Sequence, residues 1–128
     1  MNPYVEQSLK PTVYDLLYTL GITENYIGFF FTSDAVHLTL QQPERLLLIT
    51  KWLYPDIAKR HNTSCYNVEK GIRKTVEVAW KLRAEKMCFI AKRDLEHRPT
   101  NSQFISILTN YLQFQSANEN TIFQSRIS

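Results

Sequence analysis

At 128 residues the chain suffices for one domain with its own buried core, and 44% hydrophobic with 21% charged residues is an ordinary globular balance. Three glycines and five prolines argue against a loop-rich all-β fold and against extended disorder. Charge is unevenly placed. Of the net +3, residues 51–98 carry 12 Lys/Arg against 6 Asp/Glu, while the remaining 80 residues carry 3 against 6. A basic middle between mildly acidic flanks is what a phosphate-facing surface produces, although a solvated helix surface has the same signature. Cys65 and Cys88 lack CxxC spacing and read as reduced thiols rather than a disulfide frame. The opening MNPYVEQSLKP has neither the basic start nor the apolar stretch of a signal peptide, and the longest apolar runs, Phe29–Phe31 and Leu46–Ile49, fall far short of a membrane span. A cytoplasmic protein without membrane contact is the expectation.

Taken in chain order, Val13, Leu16, Leu17 and Leu20 form a helical stripe over about residues 11–20, opened by Pro11 and stopped by Gly21. Thr23 is placed to cap a second helix bearing Tyr26, Ile27, Phe30 and Phe31; Thr32-Ser33-Asp34 either breaks it or lies on its exposed face. Pro43 suits a first helical position, and Leu46, Leu47, Ile49, Trp52 and Leu53 then predict a wide core face. Trp52, Trp80 and Phe29–Phe31 have the helical spacing of core residues rather than of a ligand pocket. A boundary falls at Tyr54, because a residue before proline avoids the α region. Pro55 restarts a short helix to about His61, Asn62-Thr63-Ser64 makes a capping turn, and the next helix runs to about residue 82. Residues 83–98, with Met87, Phe89, Ile90 and Leu95, are compatible with a helix of imperfect spacing, closed by Pro99. Thr100-Asn101-Ser102-Gln103 has capping-box spacing and starts a last helix with Phe104, Ile105, Ile107, Leu108, Tyr111 and Leu112 inward. The fold class is therefore all-α, about six helices without a β-wing. An N-terminal arm is expected at 1–10, the helical domain at 11–114 and a frayed tail at 115–128.

The informative stretch runs from Tyr54 to Trp80. A helix-turn-helix needs a small residue where its two axes cross, here Ala58, then a tight turn, here Asn62-Thr63. Its second helix, about residues 64–81, anchors Val68, Ile72, Val76 and Ala79 inward, with Gly71 beside them allowing close approach. Outward it presents Asn67, Glu69, Lys70 and Arg73, the residue types that read base edges: Lys for guanine, Asn for adenine, Glu for the cytosine amino group. Lys59, Arg60, Thr63, Ser64, Tyr66 and Lys74 surround them as phosphate contacts. Such signals are degenerate, and a helical hairpin with a polar outer face gives the same pattern.

YPDIAKRHNT, then VEKGIRKTVEVAW, then PTNSQF before the last helix resemble the DNA-binding effector domain of the stage-zero sporulation protein A family, over roughly residues 12–112. The resemblance implies a six-helix unit that binds a short box in double-stranded DNA, often as a homodimer on tandem sites, and activates or represses transcription. It places base reading on Asn67, Glu69 and Lys70, with Arg73 on the same face. Glu69 and Arg73 match the family, whereas Asn67 and Lys70 stand where arginine is typical. Neither reproduces the bidentate arginine fork, so a changed box or lower affinity is expected. About ten residues precede the first helix, so the family's receiver domain, and control by its phosphorylation, are expected to be absent. Residues 81–98 are shorter than, and unlike, the family's contact with the RNA polymerase sigma factor, which favours repression by occupancy over activation. An alternative reading is a protein-interaction module that pairs with a full-length sporulation regulator without binding DNA.

Enzymatic readings find little support. His61 and Cys65 stand four apart, but no orienting group or oxyanion hole accompanies them in the sequence. His37, His61 and His97 are too scattered for a metal site, and Gly21, Gly28 and Gly71 form no phosphate-cradling loop. No catalytic residue, metal or cofactor is expected.

Overall fold

Thr12 opens the first helix, α1 (Val13–Thr19), through a capping box: its hydroxyl accepts from the Asp15 amide at 3.2 Å and the Asp15 carboxylate accepts from the Thr12 amide at 3.0 Å. The computed structural model describes residues 12–127, with side chains through Gln115. Pro11 and the arm expected at 1–10 therefore lie outside the described residues. Gly21, at φ +83°, ends α1 in the left-handed region, as its position predicted.

The second helix, α2 (Ile27–Gln41), begins later than Thr23. Thr23 instead opens a turn whose carbonyl accepts from the Tyr26 amide at 3.1 Å, and Tyr26 takes the cap position without a side-chain bond. Thr32-Ser33-Asp34 does not break the helix. Thr32 and Ser33 are buried, because α2 is the central strut, packed against two long helices, and carries buried residues on most of its circumference.

Residues 43–53 differ from the regular amphipathic helix that their spacing predicts. Pro43–Leu48 winds as a tight 3-10 segment and Ile49–Leu53 as a π turn, so successive side chains do not share one face. Only Leu53 is buried; Leu47 is 76% and Trp52 42% exposed. Trp52 is thus a surface residue, whereas Phe29 and Phe31 are buried and Trp80 packs partly buried against the core. Arg45 pins the irregular path by donating to the Trp52 carbonyl oxygen at 2.8 Å and pairing with Asp56.

Two helices follow that carry the candidate motif, α3 (Tyr54–Arg60) and α4 (Cys65–Ala91). α4 extends past the expected end near residue 82, but Arg83 leaves helical geometry at φ −142°, ψ 44°. The chain then resumes a second helical piece that buries Met87 and Ile90 and leaves Phe89 exposed. Lys92 closes it in the left-handed conformation. The Thr100–Gln103 capping box forms as predicted, with bonds of 2.9 and 3.2 Å, and opens α5 (Asn101–Ile127). α5 buries Phe104, Ile105, Ile107 and Leu108; Tyr111 and Leu112 are half-buried. Of the tail expected from 115, the backbone is described to Ile127, as the continuation of α5, and the side chains after Gln115 lie outside the described residues. The described chain is all-α, five α-helices plus two irregular turns, with no strand among the described residues.

Candidate nucleic-acid interface

The helix-turn-helix is built where its residues predict. Ile57 and Ala58 on α3 are buried, and His61 ends that helix. Asn62 turns the chain in the left-handed region at φ 52°, a conformation asparagine tolerates better than most residues. The Thr63 amide donates back to the Ala58 carbonyl at 2.9 Å. Ser64 caps α4, its hydroxyl accepting from the Asn67 amide at 3.1 Å. Val68, Ile72, Val76 and Ala79 are each at most 1% exposed, so the inward face is fully anchored.

Glycine sets how closely α4 lies on α2. A Cβ on Gly71 would stand 2.8 Å from the Phe31 ring, and one on Gly28 would run into the Thr75 hydroxyl and the Gly71 carbonyl. The two backbones therefore touch at Gly28 and Gly71. This fixes the height of α4 above the core, and with it the outward face. The role of Gly28 rests on a contact across 43 positions, which no local pattern encodes.

The predicted base-reading residues occupy one outward face of α4, spread from edge to edge. Asn67, Lys70 and Lys74 recur at i, i+3 and i+7, while Glu69 and Arg73 lie along the other edge as an i, i+4 pair at 3.1 Å. Lys70, Arg73, Lys74 and Asn67 are exposed, Glu69 half-buried, and Tyr66 is 65% exposed. The Lys70 ammonium lies 5.8 Å from the Tyr66 ring centre. Asn67 donates through its side-chain amide to the Thr63 hydroxyl at 3.0 Å, which holds it at the turn end of the face. Lys59 and Arg60 are exposed on α3, with Arg60 3.8 Å from Asp34.

The face forms a ridge between two grooves. One, towards the start of α2, is lined by Ile27, Phe31, Asn62, Asn67, Lys70 and Lys74. The other, towards the start of α5, is lined by Glu69, Arg73, Arg98, Pro99 and Asn101 among others. An α-helix with its side chains is about 10–12 Å across, a width that a major groove of about 12 Å accommodates.

Two supporting contacts were not legible in the sequence. Asn101, the first residue of α5, donates from its side-chain amide to the Tyr54 hydroxyl and to the Glu69 carbonyl oxygen, both at 3.0 Å. One amide thus ties α3, α4 and α5 together. Burial pushes the Tyr54 phenol above its usual range, partly opposed by this bond. On the turn side, His61 Nε2 lies 2.6 Å from the Asp34 carboxylate, and the His61 ring meets Phe31 edge-on. The capping motif flags Asn101 as a helix start, but no spacing rule links it to Tyr54 or Glu69.

Among the described residues, no three His, Cys, Asp or Glu side chains gather as a metal site, and no helix is long and apolar enough to cross a membrane. Residues 13–112 match the family described as Sporulation initiation factor Spo0A C terminal. That family is one of DNA-binding domains of sporulation regulators, not of enzymes.

Proposed function

This chain belongs to the Sporulation initiation factor Spo0A C-terminal family, and from that premise we propose that it is a sequence-specific transcription regulator that lays α4 in the major groove. The observation that carries this reading is the exposed face of α4, where Lys70, Arg73 and Lys74 project from a helix anchored by four buried side chains. Lys70 reads guanine, Asn67 reads adenine, and the Glu69–Arg73 pair contributes an acceptor for a cytosine amino group beside a donor fork. Lys59, Arg60, Thr63, Ser64, Tyr66 and Lys74 hold phosphates on the turn side. Because Lys and Asn replace the family's arginines at two reading positions, the preferred box differs from the family's or is bound less tightly. Regulation proceeds by occupancy, in the nucleoid, with a homodimer on tandem sites as the bound form. The test is a titration of duplexes carrying the family's box, and of a scrambled duplex, at several salt concentrations. Tighter binding of a box over the scrambled duplex is expected; equal binding removes the sequence-specific part, and no binding at low salt removes the whole reading.

A second reading has its own observation. Leu47, Leu48 and Trp52 are each exposed within one short segment, which suits a module that docks on a protein such as a full-length sporulation regulator or a sigma factor. Co-purification with such a regulator, together with no duplex shift at low salt, would favour it.

A further inference from the structure

The groove between α4 and the start of α5 holds an arginine outside the helix-turn-helix. Arg98 lies in the segment between α4 and α5, with its side chain 48% exposed and a guanidinium nitrogen 3.4 Å from Glu77 on α4. Its backbone is held on the C-terminal side by buried Pro99, by the Thr100 cap and by the Asn101 bridge to Tyr54 and α4. Arg73 enters the same groove from α4. Two carboxylates, Glu69 and Glu77, also stand on or beside the outward face, where each would repel DNA. Each is matched by an arginine, Glu69 by Arg73 at 3.1 Å and Glu77 by Arg98 at 3.4 Å.

From this arrangement we propose that Arg98 is a DNA-backbone contact, a phosphate seat on the flank of α4 opposite Lys74, built by the α4–α5 connection. The inference rests on the reading that the outward face of α4 meets DNA. A guanidinium offers five donors in a planar fork, and one carboxylate at 3.4 Å leaves donors for a phosphate oxygen. Without Arg98, the helix would face one phosphate strand through Lys59, Arg60 and Lys74 on the turn and α2 sides. On the α5 side the other cation lining the groove, Arg73, belongs to the base-reading face. With Arg98, both backbones along the ridge are served.

Neutralising Glu77 is the other role Arg98 could play, and a cycle of variants separates the two. Arg98→Ala is made in the natural chain and in a Glu77→Gln background, and each protein is titrated with matched and scrambled duplexes between 50 and 200 mM salt. A phosphate seat predicts that Arg98→Ala weakens both duplexes alike, in both backgrounds, and lowers the salt slope by about 0.9. One lost contact of that slope corresponds to about a threefold smaller loss of affinity across the salt range. Arg98→Lys should keep the slope. If Arg98→Ala leaves the affinity and slope of the Glu77→Gln protein unchanged, Arg98 only masks Glu77 and the proposal is overturned. A change confined to the matched duplex overturns it too, since a phosphate contact carries no sequence information. Should the natural chain bind no duplex at 50 mM salt, the assignment of α4 to DNA falls first, and Arg98 with it.

Discussion

Replacing Gly28 by alanine tests whether the placement of α4 depends on backbone contact with α2. The new Cβ would meet the Gly71 carbonyl carbon at 2.9 Å, with the Gly71 oxygen and the Thr75 hydroxyl nearer still. Two of these three atoms belong to backbone, which cannot swing away, so the helices must part. Overpacking of this kind costs about 1–3 kcal/mol, and we place Gly28→Ala near ~3 because the obstacle is main chain. Displacing the Thr75 hydroxyl from the Gly71 carbonyl, a buried bond of 3.0 Å, adds about 1 kcal/mol. The helix propensity gained by alanine offsets about 1 kcal/mol, which leaves a net loss of about 3. Gly71→Ala is the matched control, because its Cβ meets side chains rather than main chain, the Phe31 ring at 2.8 and 3.0 Å and the Ile27 methyl at 3.6 Å, and a side chain can shift. Its net effect should stay within about 1 kcal/mol of zero. Urea unfolding followed by circular dichroism reads both. Equal stability of Gly28→Ala and the natural chain, or a larger loss for Gly71→Ala than for Gly28→Ala, would refute the argument that this crossing is set by main-chain contact.

Other outcomes follow from single contacts. Ser64→Ala removes the α4 cap and should cost about 1 kcal/mol, with faster hydrogen exchange at the Cys65–Asn67 amides; unchanged protection there would contradict the capping role. Lys70→Ala should reduce discrimination between the preferred box and a mismatched one by about 1–3 kcal/mol in competition titrations, and an unchanged ratio would remove Lys70 from base reading. Tyr54 carries a pH signature. Burial raises its phenol above the ordinary 10.0, so the folded state holds a proton that the unfolded chain releases first. The associated stability is complete below pH 10 and is lost as pH rises through the higher folded value. Tyr54→Phe should abolish that alkaline loss in denaturation curves between pH 9 and pH 11, about the range in which tyrosine ionises; a loss that persists unchanged would assign it to other groups.

The helix-turn-helix was legible because its signals are local. Ala58, the Asn62 turn, the Ser64 cap and the period of Val68, Ile72, Val76 and Ala79 all lie within one stretch of chain, and each is a short-range rule. Gly21 and the Thr100–Gln103 box were legible for the same reason. The expectation for residues 43–53 failed because it assumed one regular helical period. Arg45, reaching forward to the Trp52 carbonyl and Asp56, holds a path that tightens and then widens, so Leu47 and Trp52 turn outward. Thr23 was a sound cap residue in a place where the chain needed a turn first. Thr12 and Asp15, three apart, form the box that caps α1. In the candidate site, periodicity placed Asn67, Glu69, Lys70, Arg73 and Lys74 on one face. It could not show that Glu69 and Arg73 pair, or that Asn101 reaches the Glu69 carbonyl from 32 positions away. Side-chain bridges between elements follow from tertiary packing, and no one-dimensional period encodes them.

The central claim, that the outward face of α4 receives DNA, is tested most directly by mapping which backbone amides shift in the nuclear magnetic resonance spectrum when a duplex is added. The account predicts the largest shifts in Thr63–Lys74 and at Arg98, with Leu47, Leu48 and Trp52 little changed. Shifts centred on Leu47–Trp52, with Asn67, Lys70 and Arg73 unmoved, would contradict it.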